Sequence, residues 1–215
     1  MGSIGRTVRR AFGPYERQVS ELYRRFFIDL EDLAACIREW VTPETILEIG
    51  CGEGALAERL VRDFPDAHYT GIDIITHLGR MYDGPADRVS FVQITAEELA
   101  EKGDRTYDLI VINDVMHHVP TDLRAGILDA AREMLAPGGR LIFKDWVRRP
   151  TLPHLAVYVA DVHIGGDKGV SYMTKDEQVS LIADCFGEKS ILGERPINPW
   201  KQNLALLVAS ADRQA

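Results

Sequence analysis

The sequence has no apolar run long enough to span a bilayer, no excess of positive charge and very little cysteine. The missing long run leaves no candidate transmembrane helix, and the first residues lack the apolar core of a signal peptide. Lysine and arginine number 25 against 33 acids, a net charge of −8. A general nucleic-acid binder would carry a basic face instead. The one basic cluster, Arg6, Arg9, Arg10, Arg17, Arg24 and Arg25, reads as a solvated N-terminal stretch rather than a binding patch. The three cysteines, Cys36, Cys51 and Cys185, are odd in number and far apart. That excludes a disulfide framework and a C-x-x-C zinc pair, and it fits a reducing compartment. A soluble, cytoplasmic protein is the expectation. No repeat and no low-complexity tract breaks the chain, and 215 residues suffice for one domain with a sizeable core.

What is present is organised around Ile46-Leu47-Glu48-Ile49-Gly50-Cys51-Gly52-Glu53-Gly54. An apolar run ends in three glycines at alternate positions, and a helical pattern follows at once. Strand, glycine turn and helix together offer backbone N–H groups to a nucleotide-like ligand. The chain then alternates. Strands are expected at Thr45–Ile49, His68–Ile72, Val89–Ile94, Tyr107–Asn113 and Arg140–Lys144, with helices over Gly54–Asp63, Ala96–Lys102 and Thr121–Leu135. Such alternation predicts a mostly parallel sheet covered by helices on both faces. Thr174-Lys175-Asp176-Glu177 is a capping box opening a helix to Cys185. Ser190–Leu192 and Asn203–Ala209 are too close in sequence for a parallel crossover, so they predict an antiparallel closing pair. Before the sheet, apolar residues from Pro14 to Trp40 recur at helical spacing, as one long helix or two shorter ones.

Four stretches in order give the chain a resemblance to the class I S-adenosylmethionine-dependent methyltransferases of small-molecule type. They are the glycine motif with Glu48 two residues ahead of Gly50, Gly71-Ile72-Asp73-Ile74, the run from Tyr107 through Asp114 to Val119, and Leu135-Ala136-Pro137-Gly138-Gly139-Arg140. The resemblance covers roughly residues 44–145. It implies a Rossmann-like, doubly wound, seven-stranded, mostly parallel sheet with an antiparallel C-terminal strand. Residues 1–43 would form an N-terminal helical lid, and residues 44–215 the methyltransferase domain with a substrate-region insertion at about 145–172.

The resemblance also implies roles. Gly50, Cys51, Gly52 and Gly54 would receive the methionine part of S-adenosyl-L-methionine, and Glu48 would orient that turn or hold the cofactor's amino group through water. Asp73, nineteen residues after Gly54, would bind the ribose hydroxyls, and Ile74 would pack on the adenine. After strand 3 the usual aspartate is missing, leaving Thr95, Ala96 and Glu97 as adenine neighbours. Asn113, Asp114 and Val115 would flank the sulfonium. One of His117 and His118, not both, would take a proton from the acceptor. The acceptor pocket would draw on Tyr15 and Tyr23 and on Asp145, Trp146, His154, Tyr158 and Tyr172. Reading His154, Asp161 and His163 as metal ligands lacks a recognised spacing, so no metal is expected.

The expected function is methyl transfer to oxygen or nitrogen of a partly aromatic or apolar small molecule, by in-line attack promoted mainly by proximity. The expected partner is that small molecule, with no nucleic acid and no membrane. Monomer and homodimer both remain open. Two other readings compete. Gly50-x-Gly52-x-x-Ala55 with Asp73 also satisfies a loose NAD(P) fingerprint, though no second domain is evident for a hydride acceptor. A non-catalytic binding subunit on the same fold is the other.

Overall fold

The computed structural model describes residues 25–103, 105–166 and 169–209. Leu109, Ile110, Val111 and Ile112 are all fully buried, so successive side chains on both faces of this strand are covered. That is the pattern of a central strand with helices on each side. The strands are β1 (Thr45–Ile49), β2 (His68–Asp73), β3 (Val89–Gln93), β4 (Tyr107–Asn113), β5 (Leu135–Trp146), β6 (Ile191–Pro196) and β7 (Asn203–Ala209). They form one sheet in the order β3-β2-β1-β4-β5-β7-β6. The first five are parallel, and β7 runs antiparallel to both β5 and β6. Both the sheet and its antiparallel C-terminal strand match the expectation.

The helices are α1 (Leu30–Trp40), α2 (Ala55–Asp63), α3 (Ala96–Lys102), α4 (Arg124–Met134), α5 (Leu152–Val159) and α6 (Lys175–Phe186). On one face Leu33 and Ile37 of α1 and Leu56 and Leu60 of α2 pack with Ile46, Leu109 and Val111. On the other, Leu128 of α4 and Ile182 of α6 pack with Leu47, Ile110 and Phe143. The order reverses at β1, which lies between β2 and β4, and open α/β sheets bind ligands at such a switch point. Among the described residues, no helix is long and apolar enough to cross a membrane.

Several boundaries differ from the sequence reading, each for a local reason. The N-terminal helical pattern is interrupted at Asp29, whose side chain accepts from the Glu31 and Asp32 N–H groups and so starts α1 afresh. α1 is a wall of the core, and residues 1–24 lie outside the described residues. A 3₁₀ turn at Thr121–Leu123 precedes α4, where one helix was expected from Thr121. β5 runs to Trp146, because Asp145 and Trp146 pair with Leu204 and Asn203. The expected insertion at 145–172 therefore begins inside the sheet. It then holds α5, with Pro153 in its first turn, and a π-helical turn at Ala160–Gly165. β6 extends to Pro196, well past the expected Leu192.

The entry to α1 is tied to the loop before β7. Trp200 Nε1 donates to the Phe26 carbonyl and Asn203 Nδ2 to that of Phe27, each at 2.6 Å. Asp29→Ala removes only the cap, so it is expected to lower stability by about 1 kcal/mol in denaturant unfolding. No loss would mean that these loop contacts, rather than the cap, hold the start of α1.

Candidate functional site

The glycine turn is built by bonds to β2. Gly50 and Cys51 N–H both donate to the Ile72 carbonyl, at 2.8 and 3.0 Å. Gly50 has φ +77°, and a Cβ there would run into Val115, so the turn and the loop after β4 close on each other only without a side chain. Gly52, at φ +53°, has open space where a Cβ would stand, while its carbonyl accepts from Gly79 N–H at 3.1 Å. Asp73 ties the turn to the end of β2. One of its oxygens accepts from Gly52 N at 2.9 Å, the other from Ile74 and Ile75 N at 2.7 and 3.2 Å. A carboxylate has roughly four acceptor positions, so these three bonds leave room for a hydroxyl. Ile74 is 71% exposed beside it, an apolar surface at the place where the resemblance puts an adenine. Asn113 carries a buried Oδ1 without a hydrogen-bond partner at the edge of β4. An orphaned acceptor at this edge suits a ligand with donors.

Glu48 faces inward. It is 3% exposed, and the Tyr69 hydroxyl donates to it at 2.5 Å. Burial pushes its carboxyl up to about 8; the Tyr69 bond pulls the other way, and the Asp73 charge adds to the rise. Glu48 thus lies behind the turn, held by Tyr69. Thr95 and Glu98 form the capping box of α3, so the Thr95 hydroxyl oxygen is engaged there as an acceptor. Ala96 is buried beneath that cap, and Glu97 lies beside Gly126.

Two acid–base pairs stand side by side where β4 and β5 end. Asp114 has the left-handed φ of 54°, and its carboxylate lies 2.6 and 2.5 Å from the ammonium of the buried Lys144. Next to it, His117 Nδ1 is hydrogen-bonded to Asp145 Oδ1, while His117 N–H donates to Oδ2 at 3.0 Å. Trp146 N–H donates to Oδ1 at 2.7 Å. His117 is 4% exposed and Asp145 1%. Burial opposes a charge on the imidazole, but the Asp145 charge and hydrogen bond outweigh it, and the His117 pKa is raised. Burial likewise opposes the Asp145 charge, and His117 and Lys144 prevail, so that pKa is lowered. With Nδ1 committed to Asp145, Nε2 is the nitrogen free for chemistry.

Tyr172 lies over His117 with ring centroids 4.7 Å apart at 19°. Its neighbours fix it there. Ser171 N–H donates to the His117 carbonyl at 2.8 Å and Arg148 N–H to that of Met173 at 2.7 Å. The buried Arg124 bridges the Val119 and Ser171 carbonyls. The Tyr172 hydroxyl donates to Asp161, whose Oδ2 is 3.8 Å from His117 Nε2. His154 meets the edge of Tyr172 at 4.9 Å, and burial, helped by Arg148, lowers its pKa.

The sequence reading placed Asp145 in the acceptor pocket. Its carboxylate is engaged by His117 and Trp146, so it orients the imidazole. Of the histidine pair, His117 is the buried and oriented one, and His118 is exposed at its side, 4.1 Å between centroids. Trp146 joins Val157, Tyr172 and Phe27 in a small apolar cluster. Tyr158 is exposed on α5. Tyr15 and Tyr23 lie outside the described residues. Lys144, Arg124 and Tyr69 went unassigned. Lys144 alone left a signal, a lone charge at the end of an apolar strand. One atom each of His117, His118 and Asp161 lie within 4.8 Å of one another, a spacing open to a cation. His117 Nδ1 is already bonded to Asp145, and Asp161 already accepts from the Tyr172 hydroxyl.

A methyltransferase-domain family model matches residues 47–141, from β1 into β5. The ubiquinone biosynthesis O-methyltransferase of Paraburkholderia xenovorans is 32% identical over 147 residues, 60% of this chain and 62% of that protein. The protein of the same name from Aeromonas salmonicida is 32% identical over 125 residues, 52% of this chain and 50% of that one. The chain is thus similar, from β1 into β5, to methyltransferase domains. It spans about half to three fifths of the length of these two relatives. Solved methyltransferases share the fold. An O-methyltransferase family protein from Burkholderia thailandensis superposes with TM-score 0.67 at 16% identity, over 96% of this chain and 60% of that one. The mitomycin 7-O-methyltransferase superposes with TM-score 0.68 at 20% identity, over 85% and 53%.

The raised Glu48 pKa has a stability consequence. The folded state holds its proton where an unfolded chain has lost it, so the contribution is full below about pH 4.5 and is lost as pH rises toward 8. Between roughly pH 5 and 8 stability is expected to fall by up to about 1.4 kcal/mol per pH unit from this group. Glu48→Gln is expected to flatten that slope in denaturant titrations. An unchanged slope would mean the carboxyl is already ionised in the fold.

Proposed function

We propose that this chain binds S-adenosylmethionine and methylates a hydroxyl of a small, partly aromatic acceptor, with His117 as general base. The observation that carries the reading is the oriented His117–Asp145 pair two residues beyond Val115, which closes on Gly50 of the glycine turn. The expected donor edge and the base therefore share one loop. Asp73, Ile74 and Asn113 supply acceptors and an apolar surface that suit such a donor. S-adenosylmethionine supplies an electrophilic methyl on a sulfonium. His117 Nε2 takes the hydroxyl proton as the acceptor oxygen gains the methyl, and Asp145 stabilises the resulting imidazolium. Trp146 and Tyr172 wall the pocket and exclude water. The names of the O-methyltransferase relatives favour oxygen over nitrogen. The net charge of −8 favours a small molecule over nucleic acid. Neither the nicotinamide reading nor the non-catalytic one has an observation of its own here.

Calorimetry tests the donor directly. S-adenosylhomocysteine is expected to bind at micromolar or better affinity and NAD not at all, and Asp73→Ala is expected to weaken the former while the fold survives. Binding of NAD alone would overturn the reading.

The base has a pH signature. It works only when neutral, so kcat/KM is lost as pH falls through a limb lying above the usual imidazole value of about 6.5. His117→Gln is expected to lower kcat by about 10²–10⁴-fold. Asp145→Asn is expected to slow turnover and move the limb to lower pH, because the charge that raises the His117 pKa is gone. A limb that stays in place would assign it to another group.

A further inference from the structure

Lys144 has no part in methyl transfer as described above, yet its charge is fully buried at the end of an apolar strand. Its ammonium holds both oxygens of Asp114, and Asp114 N–H donates to its carbonyl at 2.9 Å. Among the described residues, Asp114 is the one non-glycine residue with a left-handed φ. The next residue of β5, Asp145, is tied to the same loop by the ring and the N–H of His117. Two consecutive residues of β5 thus grip the loop after β4, each by a double tie. The bland explanation is that Lys144 is simply an anchor. Stability is a poor reason for such an anchor, because a buried ion pair loses the hydration of both ions. Apolar replacements of such pairs are often neutral or stabilising.

The surroundings of His117 supply a better reason. Three carboxylates lie about its ring, one each on β5, the loop after β4 and the π-helical turn. One atom each of Asp114, His117 and Asp145 lie within 4.8 Å of one another, and Asp161 Oδ2 is 3.8 Å from Nε2. The other titratable groups facing the ring are Tyr172, stacked on it, His118 at its side, and His154 beyond the edge of Tyr172. The nearby Arg124 is engaged by two carbonyls. Among the described residues, Lys144 is the one lysine or arginine ion-paired with any of the three carboxylates. All three favour the imidazolium. A base that holds its proton too tightly is already spent when the acceptor arrives. Resting on the reading of His117 as the base, we propose that Lys144 is a positioning residue that acts through charge: its ammonium cancels Asp114, so that the imidazole stays neutral and able to take the acceptor's proton.

The test follows the His117 side-chain nitrogens by NMR across a pH titration of the full chain. Lys144→Gln and Asp114→Asn each remove one charge and keep a side chain that can hydrogen-bond its partner, so the tie to the loop survives. Losing a nearby cation favours the imidazolium, and losing a nearby anion disfavours it. The His117 midpoint is therefore expected to rise by about half a pH unit or more in Lys144→Gln and to fall by a similar amount in Asp114→Asn. In the double variant the two changes are expected to cancel. Lys144→Met is the second lysine variant, for a glutamine that packs badly, and it is expected to raise the midpoint as well. Midpoints that stay in place in both single variants, or that move in the same direction, would overturn the proposal, since a plain anchor gives those results. So would a double variant displaced as far as either single one. The titration needs neither cofactor nor acceptor. S-adenosylhomocysteine that fails to bind in calorimetry sinks the functional reading and leaves the role of Lys144 standing. Binding with unmoved midpoints does the reverse.

Discussion

The contact on which the site depends is the one between Asp145 and His117. A buried carboxylate is costly unless its acceptor positions are filled and a counter-charge is near. Here the imidazole, two backbone N–H groups and the adjacent Lys144 meet that need. Breaking the pair would leave a charge stranded at the C-terminal edge of the sheet, so the pair fixes the loop after β4 against the end of β5. Everything else nearby is referenced to that loop. Val115 closes on Gly50, Ser171 hydrogen-bonds the His117 carbonyl, and Tyr172 stacks on the ring.

The glycine turn is braced on two sides by acids in opposite states. Asp73 lies at the open edge and spends its charge on three main-chain N–H groups. Glu48 lies behind the turn, where burial favours the neutral carboxyl against the pull of the Tyr69 hydrogen bond. A charged acid in front and a neutral one behind let a cationic donor approach without burying a second uncompensated charge. Magnitudes place the base in proportion. Holding two reactants in line can supply roughly 7–11 kcal/mol, whereas a general base adds about 10²–10⁴-fold. The fold's main contribution is therefore alignment, and the His117–Asp145 pair refines it.

How far the sequence could be read follows from how local each feature is. β1, α3 and β4 lie where expected to the residue, because an apolar run and a capping box are complete within a few positions. The glycine turn, Asp73 and Ile74 were legible through fixed spacing along one β-turn-α-β unit. The acceptor side was not. Whether Asp145 faces a ligand or an imidazole depends on the twist of β5 against the loop after β4, which no spacing reveals. Asp161, Tyr172 and His117 meet across more than forty residues, through a π-helical turn that hydrophobic periodicity does not announce. Arg124 reads as an ordinary helix-start residue, and only the fold shows it buried against two carbonyls.

The central claim, that Asp145 holds His117 with Nε2 presented to the acceptor, is most directly tested by nitrogen NMR of the histidine side chains across a pH titration. The expected result is a neutral His117 carrying its hydrogen on Nδ1 and titrating above the usual imidazole range. A His117 that carries its hydrogen on Nε2, or that titrates below that range, would contradict it.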